Sequence, residues 1–377
     1  MPHDFEKAVL RPRDAADVAE VVAGARRPLE PAGGGSKRAI GRPVDADLLD
    51  LGALAGISTY EPAELVLTAR AATPLATVDA TLAAHGQRLA FEPPDFGVLL
   101  GSVGAQTIGG VLAANLAGSR RVAAGAARDH FLGFNAVSGR GERFKAGGKV
   151  VKNVTGYDLP KLLAGSWGTL AVLTDVTLRV TPAAELDRTL VVASGTPAAS
   201  VAILRAALGS PYDVSAAGFD PARGTLLRIE GFAASVTART DALCAELRVT
   251  PVEVVDGAAS RLLWHAHASL GALAASPVVW RISVPPADAP AVLERLKPDR
   301  YLLDWGGGLI SAAFQAVDAA RVRAAFGAGH ATLLKAPAAE RAVTAVFQPQ
   351  PPVAAAAAAR LKAAFDPRGV LNPGRMD

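Results

Sequence analysis

Residues 107–118 read TIGGVLAANLAG, and they close a series with PAGGGSK (31–37), followed by KNVTGYD (152–158) and GSWGTL (165–170). Glycine admits positive φ and leaves no side chain between the main chain and a ligand. Successive backbone N–H groups in such turns can surround an anion such as pyrophosphate. A single glycine loop says little, because glycine turns corners in every fold. Two nucleotide loops are excluded by spacing. A Walker A loop needs Gly-Lys followed by Ser or Thr, whereas Ser36 precedes Lys37 and Gly148-Lys149 runs into Val150. A Rossmann loop needs G-x-G-x-x-G between strand and helix, and the Gly33 loop has neither that spacing nor a following helix.

Outward from these loops, the first half reads as short strands and helices. Asp14 is positioned to cap a helix over 14–27, with Val18, Val21 and Val22 as its apolar stripe. Thr73-Pro74 is expected to open a helix to about Ala84, with Thr73 as cap and Pro74 in the first turn. Thr107 to Leu116 and Asp158 to Leu163 read as helices; Ile57 to Tyr60, Leu65 to Ala69, Phe131 to Ser138 and Leu170 to Val180 read as strands. After Pro182 glycine thins out. Strand, helix and strand alternate over Arg188 to Val214 and Leu226 to Val255, with more strand around Val278 to Ser283 and Leu302 to Phe314. That alternation predicts an antiparallel sheet with helices on one face. The expected division is 1–182, 183–340, and a tail, 341–377, that returns to the first domain.

The order Pro31-x-Gly33-Gly34-Gly35-Ser36, then Thr107-Ile108-Gly109-Gly110 with Asn115, then Gly165-x-x-Gly168-Thr169-Leu170, resembles the FAD-binding domain of the vanillyl-alcohol oxidase and p-cresol methylhydroxylase (PCMH) flavoprotein superfamily. Finer detail resembles the FAD-binding subunits of bacterial glycolate oxidases. It is carried by Glu92-Pro93-Pro94 with Phe96-Gly97, Gly118-Ser119-Arg120-Arg121, Arg128-Asp129, Lys152-Asn153-Val154-x-Gly156-Tyr157-Asp158, Asp304-Trp305-Gly306-Gly307 and Leu371-Asn372-Pro373-Gly374, which together span nearly the whole chain.

The resemblance implies an α+β protein with a two-subdomain PCMH-type FAD-binding domain and an α+β cap. It implies that Pro31, Gly33, Gly34, Gly35, Ser36 and Lys37 wrap the FAD pyrophosphate. Thr107, Ile108, Gly109, Gly110, Asn115 and Gly118 would hold the flavin side, with Gly101 and Ser102 close by. Gly168 and Val172 would meet the adenine end, and Asn372 in the tail would cover the cofactor. Lys152, Asn153, Gly156 and Tyr157 would form a further wall. Two departures stand out: GVLLGSVGAQ (97–106) is longer than such subunits lead one to expect, and Trp167 occupies a place where catalytic relatives commonly carry Glu. The loop GGGSKRAIGR (33–42) holds no His for a covalent flavin link, so the FAD is expected to be non-covalent.

Oxidation of a 2-hydroxy acid needs a base for the hydroxyl proton, a cation for the carboxylate and a flavin to accept hydride. Catalytic subunits of the superfamily often supply the base from an HxGDGNxH segment, which this chain lacks. Its six histidines are His3, His85, His130, His265, His267 and His330. His265 and His267 read as helical and would then not share a face, so no metal site is expected. The catalytic candidates are Arg281, as a carboxylate clamp, and His130, as a neighbour of the flavin.

Composition narrows the rest. The chain has 377 residues, 50% hydrophobic and 20% charged, with 39 basic and 35 acidic residues. That charge balance gives nucleic acid no footprint. One cysteine, Cys244, cannot build a disulfide or an iron–sulfur cluster. The resemblance therefore implies a FAD-binding subunit of a glycolate oxidase (glycolate dehydrogenase) complex. A second, catalytic FAD subunit and an iron–sulfur subunit would be its partners, and glycolate would become glyoxylate at the level of the complex. A self-sufficient FAD-dependent 2-hydroxy acid or alcohol dehydrogenase and a non-redox scaffold subunit are the alternatives. No signal peptide or membrane span is evident, so a cytoplasmic location is expected, with membrane association only through partners.

Overall fold

A computed structural model of the chain describes residues 7–148 and 156–376. Asp14 caps the helix Ala15–Gly24, accepting from the N–H groups of Ala16 (2.8 Å) and Asp17 (2.9 Å). The helix stops three residues earlier than its apolar pattern, where Ala25 turns extended. Its Val18 and Val22 bury against Leu29 and Leu49, which belong to a three-stranded parallel sheet, Val9–Leu10, Asp47–Asp50 and Leu29–Ala32.

A second, five-stranded sheet of the first half is wholly antiparallel. Its order is Ile57–Glu61, Val66–Arg70, Ala171–Arg179, Phe131–Ser138, Arg143–Gly147. Ala171–Arg179 lies at its centre and is buried on both faces, which accounts for its near-continuous apolar run. The expected cap at Thr73 is not made. The helix runs Leu75–Ala83 without a side-chain cap, and Thr73 turns its hydroxyl to the carbonyls of Arg70 (2.6 Å) and Gly56 (3.0 Å). Local turn bonding outcompetes capping at that residue.

Beyond Arg179 the chain leaves that sheet and from Leu186 builds an eight-stranded antiparallel one. Its order is Glu253–Asp256, Leu186–Val192, Gly224–Gly231, Val214–Asp220, Arg300–Asp304, Leu309–Phe314, Val278–Ser283, His330–Lys335. The segment Leu302 to Phe314 is two strands, not one, broken at Trp305–Gly307 by positive φ at Trp305 (56°), Gly306 (69°) and Gly307 (98°). Helices Pro197–Gly209, Ala233–Leu247, Ala289–Leu296 and Ala319–Ala324 pack on one face, burying Leu204, Val236, Leu243 and Val292 against Trp280, Ile282 and Leu303. The one-face expectation needs an amendment. Helix Gly257–Ser269 crosses to the other face, where Trp264 meets Val191, Ala216 and Leu226 and donates its Nε1–H to Thr189 (2.7 Å).

The rest of that second face meets the first half. Val279, Leu302, Ala313 and Leu334 join one apolar core with Phe91, Leu112 and Leu178. The tail runs back onto the first half. Leu371 bridges Leu29, and Lys362 on the helix Pro352–Phe365 donates to the carbonyls of Thr169 (2.7 Å) and Leu371 (2.8 Å).

Candidate functional site

The three glycine segments of the resemblance converge on one cleft of about 860 Å³, solvent at its mouth included. The loop Glu30–Arg38 forms one wall. Thr107, Gly109 and Gly110 form the floor, with Ala71, Ala72, Ala113 and Ala114 beside them. Ser166–Gly168 and Ala171–Leu173 form the far wall, and Asn372 and Arg375 of the tail close over it. Small residues here do two jobs. A Cβ on Gly109 would lie 2.7 Å from Ala71, so this glycine seats the helix Ile108–Ala113 on its neighbour. A Cβ on Gly34 would lie 1.8 Å from the carbonyl oxygen of Ala105. The segment 97–106 therefore lies directly on the glycine loop, where Ser102 also donates to the carbonyl of Ser36 at 3.1 Å.

The charges of the cleft do not balance. Glu30 is shared between Arg38 (2.5 Å) and Arg375 (3.1 Å). Burial works to raise Glu30, and Arg38 and Arg375 overcome it and hold the carboxyl below its ordinary range. Lys37 is 9% exposed, and among the described residues its ammonium donates only to Ser36 Oγ and Gln106 Oε1, both at 3.1 Å. No carboxylate among the described residues lies within 4 Å of it. Burial pushes Lys37 down to about 8, with Asp95 opposing. Three cations thus face one carboxylate, and Asn372 Oδ1 and Arg375 Nε are buried without partners among the described residues. Arg38 is exposed, whereas Lys37 and Arg375 are buried beside the single carboxylate of Glu30; buried polar groups are normally satisfied, and this excess of buried positive charge calls for an anion. A diphosphate fits the polar end of the cleft. Ala113, Ala114, Leu163, Val172 and Trp167 give the cleft apolar lining suited to a flat ring. The residues suit a dinucleotide such as FAD, and among the described residues no His, Cys or Tyr lines the cleft to bond it covalently.

The expected site residues divide. Pro31, Gly33, Gly34, Gly35, Ser36, Lys37, Thr107, Gly109, Gly110, Gly168, Val172 and Asn372 line the cleft. Ile108 points into the core, fully buried. Asn115, at φ 49°, instead accepts the N–H of Arg128 at 3.0 Å. Gly118 packs under the carbonyl of Glu92, and Gly101 ends a short helix. Gly156 is exposed, and Tyr157 is 89% exposed and does not line the cleft. Lys152 and Asn153 lie outside the described residues. Glu30, Arg38 and Arg375 were not anticipated; their side chains come from segments 345 residues apart, and no local pattern links them. Trp167, whose role the sequence leaves open, lines the cleft and tilts against Phe347 at 5.5 Å.

His130 is 1% exposed, stacked near Phe91 at 5.5 Å, with Nε2 bonded to the carbonyl oxygen of Ala124 at 2.8 Å. Burial lowers its pKa, and it lines no part of the cleft. Arg281 lies on the strand Val278–Ser283 and faces the first half. His267 sits on the helix Gly257–Ser269, bonded to the carbonyl of Leu303 at 3.0 Å, and His265 is exposed two residues earlier.

The seam between the halves joins two sequence motifs. Ser119 donates to Asp304 at 2.6 Å, and Trp305 Nε1 to the carbonyl of Gly118 at 3.0 Å. Beside them Arg120 is bonded to Glu230 (2.8 Å), and buried Arg228 to Asp187 and Glu92.

Residues 6–147 match the family described as FAD binding domain. Glycolate oxidase subunit GlcE of Escherichia coli (strain K12) is 36% identical over 353 residues, 93% of each chain. Glycolate oxidase subunit GlcD of Bacillus subtilis (strain 168) is 31% identical over 236 residues, 60% of this chain and 47% of the relative. Two crystal structures of alkyldihydroxyacetonephosphate synthase superpose with TM-scores of 0.66 and 0.67 at 16% and 14% identity, over 97% of this chain and 76% of theirs. The fold is the PCMH-type FAD-binding fold with an α+β cap, and FAD is the cofactor. The chain belongs to the family of the glycolate oxidase subunit GlcE.

Proposed function

We propose that this chain is the FAD-carrying subunit of a glycolate oxidase complex, taking part in oxidation of glycolate to glyoxylate. The observation that carries the reading is the cleft: a glycine loop and an excess of positive charge, with Lys37 and Arg375 buried, on a chain similar to GlcE along 93% of its length. Bound FAD supplies a ring that accepts hydride and passes electrons on. The chain's own residues bind and orient it. Lys37, Arg38 and Arg375 neutralise the diphosphate. The loop Gly33–Ser36, held by the 97–106 segment, fixes its path. The alanine-lined wall and Trp167 exclude water from the ring end. That no His, Cys or Tyr among the described residues lines the wall supports a non-covalent attachment.

The residues that would remove a substrate proton are not assembled here. His130 is locked in the core, and among the described residues no histidine lines the cleft. Glycolate oxidation accordingly needs a second, catalytic flavin subunit. Cys244, half-buried and with its thiol pKa raised by burial, offers no route to a cluster, so an iron–sulfur subunit would take the electrons onward. We place the complex in the cytoplasm, touching a membrane only through partners; no described helix is long and apolar enough to cross one.

The test is anaerobic. Full-length chain loaded with FAD should keep its visible flavin band when glycolate is added, and the band should bleach when the co-purified complex is used. Rapid bleaching of the lone chain would replace this reading with that of a self-sufficient dehydrogenase. Loss of all flavin on gentle purification would favour a scaffold.

A further inference from the structure

The two walls of the cofactor cleft belong to different sheets. The Glu30–Arg38 wall continues the parallel strand Leu29–Ala32, and the far wall includes the start of Ala171–Arg179 in the five-stranded sheet. One short segment of the tail, 366–376, is bonded to both. On the first wall, the N–H of Leu29 donates to the carbonyl of Val370 at 2.7 Å, and the N–H of Asn372 donates to that of Leu29 at 2.9 Å. Arg375 donates to the carbonyls of Lys37 (3.3 Å) and Arg38 (3.2 Å) besides its pair with Glu30. On the far wall, Asn372 Nδ2 donates to the carbonyl of Trp167 at 2.9 Å. Arg368 ties the same two layers together outside the cleft. Its guanidinium donates to the carbonyls of Val22 and Ala23 (2.9 Å) on the helix Ala15–Gly24, and to that of Gly139 (3.3 Å), just past the strand Phe131–Ser138.

The segment has an internal organiser. Asp366 is 2% exposed and accepts from the N–H groups of Val370 (3.0 Å) and Leu371 (2.8 Å) and from the Lys362 ammonium (2.5 Å). A Cβ on Gly139 would lie 2.2 Å from Asp366 Oδ1, so this turn is seated directly on backbone. Apolar burial contributes little. Within 366–376 only Val370 and Leu371 are buried apolar residues. A segment held by hydrogen bonds more than by apolar burial belongs to the part of a fold that opens at lowest cost. It is also the segment whose Asn372 and Arg375 lie over the cleft. While it is bonded to both walls, an elongated ligand between them is enclosed; once it lifts, both walls lose a shared fastening.

We propose that residues 366–376 form a strap that opens and closes as one unit and gates the entry and release of FAD. The proposal rests on FAD as the ligand of the cleft and not on glycolate as the substrate.

The test is stopped-flow FAD binding to the full chain freed of flavin, with FAD release from the loaded chain followed by flavin fluorescence. Arg368 is exposed and lines no part of the cleft. Arg368→Ala therefore removes the fastening without removing a cofactor contact. Entry and release should both speed up at least about tenfold, the scale of losing charge-assisted bonds to several carbonyls. Their ratio, and hence Kd, should stay nearly constant, because the same bonds are lost with and without FAD. Asp366→Asn, which loosens the strap from its inner turn, should shift both rates the same way. Hydrogen exchange of the wild type is a second measurement that needs no variant. Without FAD the amides of 366–376 should exchange together, well ahead of those in the strand Ala171–Arg179, and FAD should slow them. Unchanged rates in Arg368→Ala would overturn the proposal. So would faster release alone with Kd weakened in proportion, the mark of a plain binding contact, or strap amides as slow without FAD as those of the central strand. The flavin content of the purified wild type reports the cofactor reading separately from these rates.

Discussion

Arg228, on the strand Gly224–Gly231, grips Glu92 of the first half with both ends of its guanidinium: Nη1 donates to Oε2 at 2.7 Å and Nη2 to Oε1 at 3.1 Å. The same guanidinium binds Asp187 through Nε at 3.0 Å, and the arginine is fully buried. Glu92 itself sits at φ 39°, with its carbonyl against Gly118. One arginine therefore fixes the Glu92-Pro93-Pro94 strip to the eight-stranded sheet and holds the motif Gly118–Arg121 in place behind it.

Arg228→Met should cost about 3–5 kcal/mol, because Asp187 would stay buried without its cation and Glu230 would lose one of its three. Urea unfolding monitored by circular dichroism measures this. Arg188→Met, which breaks the exposed pair with Asp256 at 2.7 Å, should cost no more than about 1 kcal/mol. Equal losses in the two variants would show that the seam is not held this way.

Glu230 carries the acid sensitivity of the same network. Burial works to raise it, but Arg228, Arg120 and Arg88 outweigh burial and hold it at about 2, below the unfolded value of 4.5. A carboxyl depressed on folding stabilises above its unfolded pKa and loses that contribution as pH falls towards its folded one. Stability should thus decline between about pH 4.5 and 2, by roughly 3 kcal/mol from this group. Glu230→Gln should be less stable at pH 7 and show a flatter acid limb in urea unfolding from pH 7 to 2.

Gly34→Ala should strip the protein of FAD, because the new methyl would meet the Ala105 carbonyl oxygen at 1.8 Å and part the glycine loop from the 97–106 segment. The ratio of flavin to protein absorbance after purification reads this directly. Gly195→Ala, which meets nothing within 4 Å, should retain wild-type flavin content.

Lys37 gives FAD binding a pH dependence. Burial pushes its ammonium down to about 8. A diphosphate favours the ammonium and raises that value, so affinity is highest below pH 8 and falls as pH rises above it. Fluorescence titration of FAD from pH 6 to 10 should show the decline in wild type. Lys37→Met should bind about tenfold more weakly at pH 7 and lose the slope.

Much of this was legible along the chain. Glycine spacing at 33–36, 107–110 and 168 marked the cleft because each segment carries its own backbone requirement locally. The cap of Asp14 and the buried run at 171–179 were equally local. Thr73 was misread because one hydroxyl can serve a cap or a turn, and only its neighbours Gly56 and Arg70 choose between them. Tyr157 carries an apolar ring, yet the fold leaves that ring in solvent. The histidine at 130 looked like a flavin neighbour from its place after Arg128-Asp129, but the short helix Ala127–His130 turns it into the core.

By itself, the sequence determined the cofactor class through the resemblance its ordered glycine motifs carry, and much of the strand and helix pattern, since apolar periodicity acts over a few residues at a time. Only the tertiary structure decided which charges are paired. Glu30 meets Arg375 across 345 residues, Arg228 meets Glu92 across 136, and Arg121 and Arg281 share one indole without sharing a carboxylate. Charge pairing depends on distance and desolvation in three dimensions, and chain spacing encodes neither.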